Sequence, residues 1–127
     1  MKKITLLLNL VEEKKQMDIV NELFTKTKTM DFAIKRLATE GRKFAEAERD
    51  YKIALRQEVL KLRESGVAVG IIDKIIYGVP EIADLRFTRD VAETLYKTAY
   101  EYLNTLKLEI RVIQSQVEKE WGHDSSK

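Results

Sequence analysis

Ile82 to Val117 reads IADLRFTRDVAETLYKTAYEYLNTLKLEIRVIQSQV. In this stretch positions 82, 85, 89, 92, 96, 99, 103, 106, 110, 113 and 117 alternate spacings of three and four. They hold Ile, Leu, Arg, Ala, Tyr, Ala, Leu, Leu, Ile, Ile and Val. Side chains at that spacing fall on one face of an α-helix, and a repeat sustained over five heptads is a seam made to pack on another helix. Arg89 is its single charged member. The helix is expected to run from Pro80 to Trp121, roughly 60 Å at about 1.5 Å per residue.

Working outward, Gly78-Val79-Pro80-Glu81 supplies its start. Proline in a first helical turn loses no hydrogen bond, and Glu81 suits the positive end of the helix dipole. Before it, Ile71, Ile72, Ile75 and Ile76 mark a short helix over 69–77. Ser65-Gly66 ends the helix before that, because glycine takes up the left-handed cap conformation that other residues resist. That helix spans about 31–65, with Ile34, Leu37, Phe44, Tyr51, Leu55 and Leu62 as its apolar face. Gly41 inside it marks either a bend or a close approach of another helix.

Thr25-Lys26-Thr27-Lys28-Thr29 reads as a connection, with Thr29 or Asp31 capping the helix that follows. Ahead of it Ile4, Leu8, Val11, Ile19 and Leu23 have imperfect helical spacing, so 2–24 is expected to be a separate N-terminal helix. Its first residues are open to an extended reading. The opening Met1-Lys2-Lys3 and Ile4 to Val11 resemble a signal peptide only briefly. Asn9 interrupts the run, Glu12-Glu13-Lys14-Lys15 closes it, and no small-residue cleavage site follows. It is also too short to span a bilayer.

The expected fold is therefore all-α and a single domain over 1–127. It is a long antiparallel, coiled-coil-like hairpin of 31–65 and 80–121, with a short tip helix, an N-terminal helix, and a polar tail over 122–127. Second apolar stripes remain on both long helices. They comprise Phe87, Val91, Leu95, Tyr102 and Val112 on one, and Ala33, Ala47, Ala54 and Val59 on the other. Stripes of this length are rarely left in water, so self-association is expected.

Composition agrees and narrows the chemistry. The 127 residues include one Pro, five Gly and no Cys, with 44% hydrophobic and 35% charged residues. That is helical material with enough apolar content for a core. Twenty-three basic and 21 acidic residues leave a net charge of +2. The interleaved signs argue against a dedicated phosphate-binding tail. The lack of cysteine removes disulfides, thiolate metal sites and a cysteine nucleophile, and fits a cytoplasmic protein. One histidine, His123 beside Trp121, makes no histidine-based metal site. No Gly-rich phosphate loop and no Ser-His pair with an orienting acid is present, so no catalytic residue and no cofactor is expected.

Three readings of the tip compete. Arg56 and Arg63 end one long helix, Arg86 and Arg89 begin the other, and Lys74 and Tyr77 lie between. Guanidinium groups hold phosphates bidentately and an aromatic face stacks a base, so these six are the candidate ligand residues for an anionic, nucleotide-like molecule. The structural alternative pairs Arg89 with Glu58 and Arg86 with Asp90, the seam arginine then fixing register. A third reading takes Val59 to Gly66, Val69 to Ile76 and Pro80 to Asp90 as a helix-turn-helix, with Arg86 and Arg89 facing nucleic acid. The acidic Glu81 and Asp84 count against it.

The string Tyr51-x-x-Ala54-Leu55-Arg56, Leu62-Arg63-x-x-Gly66, Gly78, Ile82-Ala83-x-Leu85-Arg86-Phe87-x-Arg89-Asp90-x-Ala92-Glu93, Tyr96, Lys107-x-Glu109-Ile110-Arg111 and Glu120-Trp121 resembles a family of small helical proteins. These are encoded by phages and prophages of Gram-positive bacteria and are mostly uncharacterised. The resemblance covers about Tyr51 to Trp121 and carries over no functional residues. It implies a protein made in the bacterial host cytoplasm during infection or lysogeny. The expected function is non-enzymatic binding by a helical oligomer, of a host or phage protein or of a small anionic ligand, as in counter-defence. The alternative is a nucleic-acid accessory factor of phage replication or recombination.

Overall fold

In the computed structural model, which describes residues 2–122, helix α1 is continuous over Lys2–Glu64, 63 residues. A short helix, α2, spans Val69–Ile75 and passes into a 3-10 turn at Ile76–Gly78. The third helix, α3, spans Pro80–Gly122. There is no strand among the described residues, and the long N-terminal helix packs on the long C-terminal one. The tail and His123 lie outside the described residues.

The expected break at Thr25–Thr29 is absent. Threonine is a modest helix former because its hydroxyl competes for backbone partners and its branched carbon stiffens χ1. Here each hydroxyl is satisfied within the helix. Thr25, Thr27 and Thr29 donate to the carbonyls of Asn21, Leu23 and Thr25 at 2.9, 2.8 and 3.0 Å. Neither Thr29 nor Asp31 is a cap, and the N-terminal helix and the 31–65 helix are one element. Residues 2–10 are helical.

The chain divides into two compact units, one of residues 1–35 with 101–127 and one of residues 36–100. In the first, Lys26 on α1 pairs with Glu109 on α3, while Ile19 and Glu22 border Gln116 and Lys119, so the segments run antiparallel. Ala33, Leu103, Leu106 and Ile113 are its buried apolar residues. Alanine at position 33, expected on an outer stripe, is thus an inner residue, and Ile34 is the exposed one at 47%.

In the second unit Gly41 meets Tyr96 and Tyr51 meets Arg89, again antiparallel. A Cβ on Gly41 would stand 2.9 Å from Tyr96 Cε2. The glycine therefore serves close approach, and α1 continues through it. Phe44 packs on the same ring at 6.0 Å between centroids. Ala47, Ala54 and Val59 are half-buried on the inner side, which corrects their assignment to an outer stripe.

At the turn, Gly66 has φ +86°. Its N–H donates to the Arg63 carbonyl and that of Val67 to the Leu62 carbonyl, at 3.0 and 3.1 Å. This is the paired closure that satisfies the last carbonyls of a helix. Ile72, Ile76 and Ile82 are each 2% exposed and form the core of the turn. Each contributes about 1.5–3 kcal/mol by leaving water.

All eleven seam positions of α3 are buried or half-buried, Arg89 among them. The stripe of Phe87, Val91, Leu95, Tyr102 and Val112 is exposed, at 70, 42, 46, 49 and 53%.

Candidate functional site

The six candidate residues do not share a pocket. They fall in separate places in the second unit. Arg56 and Arg63 lie on α1 and line an open furrow with Lys52, Leu55, Val59 and Leu60. The furrow has an apolar floor and three cations along its sides, and no carboxylate lines it. Lys52 leans on Glu48 at 3.4 Å, whereas Arg56 and Arg63 form no ion pair among the described residues. Sequence reasoning missed Lys52, although the spacing of 52, 56 and 63 places all three on one helix face.

Tyr77 and Arg86 form a second place. The Arg86 guanidinium carbon stands 5.1 Å from the Tyr77 ring centroid, a cation–π contact. Tyr77 is 47% exposed, so the pair offers an aromatic face and free N–H donors to solvent. The expected Arg86–Asp90 pair does not form. Lys74 is exposed in the last turn of α2 and forms no ion pair among the described residues.

Arg89 is committed to the seam. It reaches Asp90 through Nε at 3.1 Å and through Nη2 at 2.8 Å. Its guanidinium carbon lies 4.7 Å from the Tyr51 ring, and Tyr51 is 5% exposed. The hydrogen bond that Arg89 donates to Asp90, helped by that carboxylate's charge, holds the Arg89 pKa above its ordinary value. The seam arginine therefore has a structural partner set, with Asp90 and Tyr51 in place of the expected Glu58. Glu58 has no ion pair among the described residues.

No group of three or more His, Asp or Glu side chains is placed to hold a metal among the described residues. No helix of the described residues is long and apolar enough to cross a membrane. No protein-family model, curated protein or solved structure matches the chain.

Proposed function

We propose that this chain is a non-enzymatic phage or prophage protein that works by binding, as a helical oligomer. Its target is a host or phage protein that presents acidic and apolar side chains together. One observation carries this reading. Nine hydrophobic residues are buried, while 24 large hydrophobic residues are exposed among those described. Apolar surface exposed to this extent favours an interaction role. In the second unit the exposed Leu60 lines the furrow of Lys52, Arg56 and Arg63, whose cations would select the acidic part of a partner and set its orientation. An open furrow with an apolar floor suits a protein segment better than a small molecule, which is normally held in a concave, largely enclosed site. Counter-defence by sequestration fits this mode of action.

The exposed Tyr77–Arg86 stack favours a second reading, a small anionic nucleotide-like ligand held by ring and guanidinium. The nucleic-acid reading has weaker support, since Arg89 is already engaged by Asp90 and Tyr51.

Co-purification from phage-infected cells, with mass spectrometry of proteins and small molecules, tests the proposal. A partner retained by the wild type and lost with Arg56→Ala/Arg63→Ala supports it. A nucleotide that raises the melting temperature by mass action moves the choice to the second reading. Duplex DNA binding that falls steeply with salt moves it to the nucleic-acid one.

A further inference from the structure

Four arginines of α1 stand at one spacing. Arg42, Arg49, Arg56 and Arg63 recur every seven residues, and Ala38, Ala45, Lys52 and Val59 recur between them with the same period. Together the two rows alternate spacings of four and three, which is the pattern of a helix-packing seam. At 100° per residue all eight fall within an arc of about 100°, and no Asp or Glu between residues 38 and 63 falls inside it. All but Val59 are exposed. Phe44 and Tyr51, which pack on Tyr96 and Arg89 of α3, lie about 110–130° from the middle of that arc, so the seam with α3 is on another side of the helix.

The arc carries five cations that are only lightly engaged. Arg42 and Arg49 lean on Glu46 and Asp50 at 3.0 and 3.1 Å, and Lys52 leans on Glu48 at 3.4 Å. Exposed pairs of this kind are weak. A guanidinium has five N–H donors, and Arg42 commits only its Nε to Glu46. Arg56 and Arg63 form no ion pair among the described residues.

The pitch of the row identifies what fits it. A solvated helix face usually mixes charges of both signs. This one repeats a single cation about every 10.5 Å, at 1.5 Å per residue. A second α-helix with a carboxylate at every seventh residue presents acids at that same pitch, and arginine is the cation best suited to interface carboxylates. Phosphates of a nucleic-acid strand come about every 3.4 Å and require no seven-residue period. Nor does a phosphate backbone use the intervening Ala38, Ala45 and Val59, which offer apolar contact to a packed helix.

We infer that this side of α1, from Ala38 to Arg63, docks an α-helix of the partner protein that carries Asp or Glu at every seventh residue with apolar side chains between. The inference rests on the protein-binding function proposed above and names the element recognised. The contact runs about 32 Å along α1 and so extends well beyond the furrow at Arg56 and Arg63.

A synthetic four-heptad peptide with Glu at one seam position and Leu at the other is the probe, read by fluorescence anisotropy against the full chain. The wild type should bind it. A peptide of the same composition with its acids off the seven-residue spacing should bind roughly tenfold more weakly or worse, and one with Lys in place of each Glu should not bind. Arg42→Glu/Arg49→Glu, outside the furrow, should weaken binding roughly tenfold or more. Lys43→Glu/Lys61→Glu makes the same change of net charge at least about 100° from every residue of the row, and should leave binding unchanged. Circular dichroism should show the same helicity in both variants. Equal weakening by the two variants, or indifference to acid spacing, overturns the docked helix. If the peptide fails to bind while a co-purified partner is still lost with Arg56→Ala/Arg63→Ala, the inference falls and the protein-binding reading stands. Failure of both overturns both. Duplex DNA that displaces the peptide and binds more tightly overturns the inference in favour of nucleic acid.

Discussion

The Tyr96 ring lies against the bare backbone of Gly41, so close that a Cβ there would meet Cε2 at 2.9 Å and Cδ2 at 3.2 Å. Glycine in a helix interior costs about 1 kcal/mol against alanine, and α1 accepts that cost where α3 comes near. Gly41→Val gains little propensity and adds two methyl groups under the ring. Overpacking of that size costs about 1–3 kcal/mol. Thermal unfolding should show a lower melting temperature, and Tyr96→Ala in the same chain should remove most of the added penalty. Equal losses in both backgrounds would mean the ring is not what Gly41 accommodates.

The Arg89 network makes a different forecast. Its guanidinium covers the buried Tyr51 ring and is held there by Asp90. A cation–π contact contributes about 0.5–1 kcal/mol, and a partly exposed ion pair about 0.2–1 kcal/mol. Arg89→Ala should therefore cost about 1–2 kcal/mol. Asp90→Asn should cost less than about 1 kcal/mol, because the stack survives it. A double-mutant cycle between positions 51 and 89 reads the coupling, and zero coupling would contradict the arrangement.

These two sites differ in how legible they were. The three-and-four spacing from Ile82 to Val117 located the α3 seam because each position obeys one local rule. Gly66 was legible for the same reason, since only a left-handed residue completes that helix end. The inner face of α1 was obscured by its small and polar members. Its half-buried and buried positions include Lys26, Met30, Ala33, Leu37, Glu40 and Phe44, which hold the heptad spacing across the threonines. Read by hydropathy, Ala33 looks weaker than Ile34, yet the small side chain faces inward. The candidate site was legible as a list of cations and not as an arrangement. Whether an arginine stacks on Tyr77 or on Tyr51 depends on packing between distant segments, which spacing along one helix does not reveal.

The threonine stretch tests the continuity of α1 directly. In a linker, Thr27→Pro would be tolerated. In a helix interior proline removes a hydrogen bond and clashes with the preceding turn, costing about 3 kcal/mol or more. Replacing Thr25, Thr27 and Thr29 together with Ala should be neutral or stabilising, since alanine is the better helix former and the lost hydroxyls bond only within their own helix. Circular dichroism on melting measures both. A tolerated proline with a destabilising alanine triple would restore the linker.

The Lys26–Glu109 pair sets a dependence on pH. The Lys26 side chain is 33% exposed and that of Glu109 41%. The hydrogen bond with Glu109 raises the Lys26 pKa above its ordinary 10.5, with further help from the charges of Glu109 and Glu22. The folded state thus binds this proton more tightly than the unfolded chain does. The stabilisation is fully present below the unfolded value and is lost as pH rises through the folded one. Unfolding followed above about pH 10 should show wild-type stability falling faster than that of Lys26→Met, which has no proton to lose there. Parallel curves for the two would show that the pair does not form in solution.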